Sequence, residues 1–460
     1  MLYCSLLFIY GFLPVSLGIY YAVPKKFKDI ALLLESLVFC GFFGLHLLIF
    51  MSAYTLVNYT AAQLTFRASR RKGILRVLPA AAGICLDAGA LLFFREQWLF
   101  LLKGLFSVPE NFFPIGISLF SLSAIGYLLD VYRGNIRAEK NFVRFALYIM
   151  MFPRLIMGPV VNYRSYLLIL RKRRYNIGEI GSGMILFVKG LAKKVLFGDW
   201  LYMLYSAVKG CDFAELSAAS AWLGITAYIL CLYFTLSGFA DMGAGISRCF
   251  GMRFPVSFSY PVFSGRIRYF ASGWFIQPVH WFREYLTKPL SSQVRSKNLS
   301  KGIFVAVWVL GGYWFGFSLG GAVWGALTGA SILAENRLRN VRLLKSNGIF
   351  YTFFITSFFA VFLSTGSVPD GLRYMWVMTG GSGIPADALA AYLFRAYIVV
   401  ILAAVYASTD LFANTIQRIR CSKCGAVVNV IMPFVMPVLL MICTSVIACT
   451  GSSDAMIVRL

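Results

Sequence analysis

Two histidines are all that the chain offers as neutral-pH bases: His46 in Gly44-Leu45-His46-Leu47-Leu48, and His280 in Gln277-Pro278-Val279-His280-Trp281. An imidazole is well suited to take a hydroxyl proton. His46 sits in an apolar run and reads as a helix-packing residue, so His280 is the better candidate. The richest polar segment, Arg266 to Ser292, surrounds it, and from Arg253 to Lys301 eight basic residues accompany a single acid, Glu284. Arg283 either pairs with Glu284 or holds a phosphate-bearing ligand, while Trp281, Phe282 and Tyr285 suit a membrane interface. Other ionisable groups lie inside apolar runs: Glu35, Asp87, Asp130, Asp199, Asp241 and Arg248. Such groups are costly in lipid and mark a site, a pathway or a partner. Asp241 follows Ser237-Gly238, where small residues let helices approach closely. Taken singly, Asp130, Asp199 and Asp241 read as structural groups paired with a nearby Arg at a helix end. Cys421 and Cys424 have redox or zinc spacing, but no second pair accompanies them, so no metal centre is expected.

These groups must be positioned by membrane-spanning elements. Of 460 residues, 59% are hydrophobic and 13% charged, where a soluble domain carries about a quarter charged. That excludes a soluble enzyme, a disordered chain and a secreted disulfide scaffold. The formal charge of +25 comes from clusters between apolar runs, the pattern of cytoplasmic loops. Membrane lipid headgroups, not nucleic acid, are the partner this charge implies. A spanning helix needs about 20 apolar residues. Candidate runs are 4–23, 30–58, 77–94, 112–132, 141–161, 182–206, 217–247, 303–333, 349–366, 388–409 and 427–450. About 10 to 12 crossings are expected. The first run lacks a preceding basic region and is followed by Lys25, Lys26 and Lys28, so it reads as a retained span. Basic clusters at Lys25–Lys28, Arg67–Arg76, Arg164–Arg174 and Arg337–Lys345 are placed in the cytoplasm. For the first two to share a side, 30–58 must enter and return, with Gly41 and Gly44 as breakers. Half-length helices need a protein-lined or hydrated interior, which favours a bundle around an internal chamber. No repeat or soluble appendage is visible, and residues 1–460 read as one integral membrane domain.

Five ordered segments carry a resemblance. They are Pro114-Ile115-Gly116-Ile117-Ser118 through Asp130-Val131-Tyr132-Arg133-Gly134; Phe152-Pro153-Arg154-Leu155-Ile156-Met157-Gly158-Pro159; Gly190-Leu191-Ala192-Lys193-Lys194; Tyr233-Phe234 through Ser237-Gly238-Phe239-Ala240-Asp241-Met242 to Phe250-Gly251; and Trp281-Phe282-Arg283-Glu284-Tyr285-Leu286. In these the chain resembles the membrane-bound O-acyltransferase (MBOAT) family, most closely the bacterial branch of alginate O-acetylation and teichoic acid D-alanyl transfer. The motifs concentrate in residues 112–330. The resemblance implies an all-α polytopic bundle with short re-entrant or interfacial helices and an internal tunnel, in the cell (inner) membrane. It implies an acyl thioester donor, acetyl-CoA or an acyl carrier, which suits the basic segment electrostatically. It also implies a hydroxyl acceptor such as a polysaccharide, an extracytoplasmic acyl-transferring partner protein, and neither metal nor bound organic cofactor.

The family carries two intramembrane histidines at its tunnel, and here both positions differ. The resemblance places Phe275 at the first, after Trp274, and Phe315 at the second, after Trp314. Thr235 stands where the branch carries Asp. Phenylalanine cannot accept a proton, and general-base catalysis contributes about 10²–10⁴-fold. His280 lies five residues after Phe275, rotated by about 140° on a continuous helix; a kink at Pro278 would re-aim it. The side chains expected to shape the site are Trp274, Phe275, His280, Arg283, Glu284, Trp314, Phe315 and Ser237, with Asp130, Asp199 and Asp241 holding the frame. Two readings stay open: a family member with impaired or absent catalysis, and an active enzyme whose base is His280 or comes from a partner. An unrelated transporter would need an inverted repeat that is not found. The alignment requires Phe275 and Phe315 to face one cavity.

Overall fold

The computed structural model describes residues 3–69, 73–95, 116–337, 348–411, 414, 415, 418 and 425–450. Pro114 and Ile115, the Cys421–Cys424 pair and parts of two basic clusters (70–72 and 338–345) lie outside them. The described residues form helices and no strands. In chain order these are α1 (Leu13–Ala22), α2 (Lys28–Gly41), α3 (Leu45–Ala68), α4 (Ile74–Arg95), α5 (Ile117–Arg133), α6 (Phe142–Met150) and α7 (Phe152–Leu155). Next come α8 (Tyr163–Arg171), α9 (Ile177–Ala192), α10 (Asp199–Lys209), α11 (Ala218–Cys249), α12 (Ile267–Gly273), α13 (Ile276–Phe282) and α14 (Lys288–Ser292). The chain continues with α15 (Lys297–Gly316), α16 (Leu319–Arg337), α17 (Gly348–Thr365), α18 (Val368–Met378), α19 (Ala388–Ala407) and α20 (Gly425–Thr450).

This is a polytopic helical membrane protein. Among the described residues, seven helices are long and apolar enough to cross a membrane: α3, α4, α11, α15, α17, α19 and the 431–450 part of α20. Most are under two-fifths buried, whereas 89% of the apolar window of α11 is enclosed, so α11 is a core helix and the others turn broad faces outward. Several expected runs are divided. The 30–58 run breaks between α2 and α3, where Gly44 takes a φ of +116° that glycine alone adopts without strain. The 141–161 run stops at Met151, whose extended backbone leads into Phe152-Pro153. Pro153 has no N–H to donate back four residues and its ring would clash with that carbonyl, so one helix cannot run through it, while a new helix starts readily with proline in its first turn. The 303–333 run is two helices, α15 and α16. Phe317 between them adopts φ +43°, and Ser318 Oγ accepts the Gly321 N–H at 3.0 Å, starting α16 as a cap does.

By contact the described chain divides into two compact units: one from 1–187 and 239–256, the other from 188–238 and 257–453. In the first, Gly116 is left-handed and a Cβ there would lie 1.8 Å from the Leu155 carbonyl oxygen. Gly134 ends α5 at φ +76° while the Asn135 N–H reaches back to the Asp130 carbonyl at 2.9 Å, the Schellman arrangement. Arg154 is buried and donates to the carbonyls of Tyr148 (3.1 Å) and Pro159 (3.2 Å). The rings of Tyr148, Tyr166 and Phe254 each lie 5.3 Å from its guanidinium. A Cβ on Gly158 would sit 2.2 Å from Arg154 Cα. These motif residues therefore work as packing and capping groups.

The partner of Arg248 is Glu179, which the sequence reading did not single out. Glu179 Oε2 accepts from Arg248 Nε at 2.9 Å and Arg253 Nε at 3.0 Å. Hydrogen bonds from Arg253 first, and from Arg248, outweigh burial and hold its carboxyl at about 2. A depressed carboxylate stabilises the fold fully above its ordinary value of 4.5 and loses that contribution as pH falls through about 2. Glu179→Gln is expected to cost about 1–2 kcal/mol at neutral pH, since both arginines keep some solvent. Unfolding midpoints should show that deficit and lose it on acidification.

In the second unit α15 and α16 form a hairpin whose backbones touch. A Cβ on Gly312 would be 2.3 Å from the Gly321 carbonyl oxygen, and one on Gly325 2.1 Å from that of Trp308. Gly320 meets the Phe362 carbonyl of α17 in the same way, at 2.1 Å. Small residues at such crossings are how helices pack without a solvent-driven core. The hairpin sets the end of α15, with Trp314 and Phe315, beside Trp324 of α16; the Phe315 and Trp324 rings stack at 5.8 Å.

Candidate functional site

The segment before α13 is extended and pinned at two points. Ser259 N–H donates to the Gly273 carbonyl at 3.1 Å, and Ile276 N–H to the Ser257 carbonyl at 2.8 Å. Between these bonds Phe275 is forced into the left-handed region, φ +48° and ψ +63°. For an aromatic residue that costs about 1–2 kcal/mol, a strain found where a structure over-determines a position. Its ring stacks on Phe258 at 5.4 Å and 9°.

Phe275 and Phe315 line the same cavity, of about 470 Å³, wholly within the second unit. Trp274, Trp308, Trp314 and Trp324 share its wall with Phe282 and Phe304. Trp274 and Trp314 are 5% and 8% exposed, and the indole N–H of each is buried without a hydrogen-bond partner. Arg268, Arg283 and Lys301 supply positive charge at the wall, with Thr287, Ser291 and Ser300 as hydroxyls. Among the described lining residues there is no carboxylate and no imidazole. The arrangement can hold an apolar chain and neutralise a phosphate, and it leaves two indole N–H donors unused. It has no group that takes a proton from a hydroxyl.

His280 is not among the lining residues. Its side chain is 65% exposed, with Nε2 3.8 Å from Glu284 Oε1, beyond hydrogen-bonding distance. Pro278 does not re-aim it. The helix begins at Ile276, so Pro278 occupies the first turn, where a missing N–H breaks no bond and no kink results. His46 is likewise exposed, at the second position of α3. Arg283 reaches the cavity while Glu284 pairs with Lys288, one turn on. That ammonium holds the Glu284 carboxyl below its ordinary value.

The frame residues are dispersed. Asp199, at the start of α10, binds the buried Lys194 Nζ at 2.9 Å; its cation is thus a lysine, held five residues upstream through a π-helical turn. Asp130 accepts from Asn135 Nδ2 at 3.0 Å, closing the end of α5. Ser237 is buried with its hydroxyl unpartnered, Asp241 is half-buried on α11, and none of these four lines the cavity. Thr235 packs its hydroxyl against Gly198 and 3.9 Å from Cys231 Sγ. Glu335 was missed in the sequence. It is buried beside the lining residue Asn336, with Oε2 accepting the Arg268 N–H at 3.2 Å and Oε1 unpartnered. Its place at the polar end of an apolar run is an ordinary one, and only the fold brings it behind the cavity.

Comparison with known proteins adds relatives. The chain is 30% identical over 353 residues to the probable alginate O-acetylase AlgI of Pseudomonas putida, covering 74% of this chain and 71% of the relative. It is 27% identical over 429 residues to the peptidoglycan O-acetyltransferase of Helicobacter pylori, covering 84% and 81%. It is also 22% identical over 205 residues to the teichoic acid D-alanyltransferase of Bacillus subtilis, covering 42% and 50%. No protein-family model matches the chain.

Proposed function

Because the chain belongs to the membrane-bound O-acyltransferase family, we propose that it keeps that family's donor cavity in a form impaired or inactive in transfer. The donor is an acyl thioester, acetyl-CoA or an acyl carrier, reaching the site from the cytoplasm. The acceptor pathway is O-acylation of an extracytoplasmic polysaccharide or peptidoglycan at the inner membrane, with an extracytoplasmic acyl-transferring partner protein. One observation supports this reading above others: Phe275 and Phe315 line one cavity whose described walls contain no general base. The basic groups Arg268, Arg283 and Lys301 suit the donor's phosphates, and the unpaired indoles of Trp274 and Trp314 suit its carbonyl.

An active centre with its base at His280 or on a partner is the second reading, favoured only by the exposure of His280 beside Glu284. Deleting the gene and measuring O-acyl content of the host's surface glycans separates them. Restoration with wild type and with His280→Ala should give indistinguishable O-acyl levels. Rescue by wild type that fails with His280→Ala would establish the rebuilt centre instead.

A further inference from the structure

A second polar cluster lies in the first unit, where α3, α4 and α5 pack together. Tyr54 and Asn58 lie one turn apart on one face of α3, and Asp87 faces them from the middle of α4; Thr55, next to Tyr54 on the same helix, is buried as well. None is more than 7% exposed. Asn58 Nδ2 donates to Asp87 Oδ1 at 2.8 Å and to the Tyr54 carbonyl at 3.2 Å. The Tyr54 hydroxyl faces both Asp87 and Asn58 yet completes a hydrogen bond with neither. Four oxygens are thus buried without partners: Asp87 Oδ2, Asn58 Oδ1, Tyr54 Oη and Thr55 Oγ1.

The surroundings are rigid. One turn before Asp87, a Cβ on Gly83 would lie 2.7 Å from Leu128 of α5 and 3.1 Å from Ala61 of α3. Phe120 packs edge-on against the Tyr54 ring at 5.1 Å. No Lys, Arg or His among the described residues pairs with Asp87. A buried carboxylate in a spanning helix needs a counter-charge, and the groups around this one are oxygens. Water would satisfy their lone pairs but not the charge. A hard cation satisfies both, and a single carboxylate matches one positive charge rather than two.

We propose that Asp87, Asn58, Tyr54 and Thr55 form a binding site for a monovalent alkali cation, with sodium as the test ion. The full chain, purified in detergent, is heated in sodium, potassium or choline chloride at equal ionic strength. A ligand that binds only the folded state raises the unfolding midpoint with concentration. Sodium is expected to raise it saturably by several degrees over choline, and Asp87→Asn to abolish the rise. Thr55→Val, which keeps the charge and the shape, should raise the half-saturating concentration about tenfold, the effect of losing about one ligand bond. A hydrophobic carbodiimide, which attacks protonated carboxyl groups, should label Asp87 in choline and be slowed by sodium. A midpoint identical in all three salts, or labelling indifferent to sodium, would overturn the proposal and leave Asp87 as a carboxyl neutralised by its own proton.

Discussion

Replacing Phe275 and Phe315 together by histidine is expected to raise acyl transfer by about 10²–10⁴-fold, the usual contribution of a positioned general base. Both side chains already line the cavity, so each imidazole would stand among the tryptophans without new backbone geometry. Phe275 holds a left-handed conformation that histidine tolerates better than phenylalanine, so Phe275→His should not add strain. Phe315 stacks on Trp324 at 5.8 Å, a contact an imidazole also makes. Groups that act as a unit are strongly non-additive; each single replacement should therefore give much less than the pair. The readout is thiol released from a short-chain acyl thioester by membranes carrying each variant. No gain from the double variant, in protein that folds as wild type does, would remove these two positions from the chemistry.

Gly325→Val is expected to prevent the α15–α16 hairpin from closing. The added Cβ would meet the Trp308 carbonyl oxygen at 2.1 Å, and a backbone atom inside a packed helix cannot swing aside as a side-chain tip can. Overpacking costs about 1–3 kcal/mol where neighbours relax. Here they are backbone, so the loss should exceed that range and take up much of a domain's margin of about 5–15 kcal/mol. Trp314, Phe315 and Trp324 would lose their common wall as a result. Gly302→Ala, on the partner helix α15 with nothing within 4 Å of its Cβ, should be neutral or slightly stabilising. Size-exclusion profiles and unfolding midpoints of the two variants give the comparison, and equal behaviour would contradict the backbone contact.

Much of the helical plan can be read from hydropathy, because lipid demands long apolar segments and forbids open backbone. The break at Gly41–Gly44 follows from glycine in a run too long for one purpose. Hydropathy averages over single residues, so it joined α15 to α16 across Phe317, whose left-handed backbone carries no compositional mark. It also treated 141–161 as one run despite Pro153. Charge partners were less accessible. Asp199 chose Lys194 through a π-helical turn, and Glu179 gathers two arginines from about seventy residues away, a distance at which spacing carries no information. The motifs located Trp274-Phe275 and Trp314-Phe315, but the left-handed backbone at Phe275 and the wall formed with Trp308 and Trp324 arise only from tertiary packing. Pro278 illustrates the same limit, since its effect depends on where the helix begins.

The central claim, a donor cavity without its base, is tested most directly by binding and turnover measured on the same purified wild-type protein. Acetyl-CoA is titrated calorimetrically, and thiol release is then followed under saturating donor with a polyhydroxyl acceptor present. Saturable binding, weakened by Arg283→Ala, with thiol release no faster than in buffer, is the predicted result. Rapid acceptor-dependent release by the wild-type chain alone would contradict it.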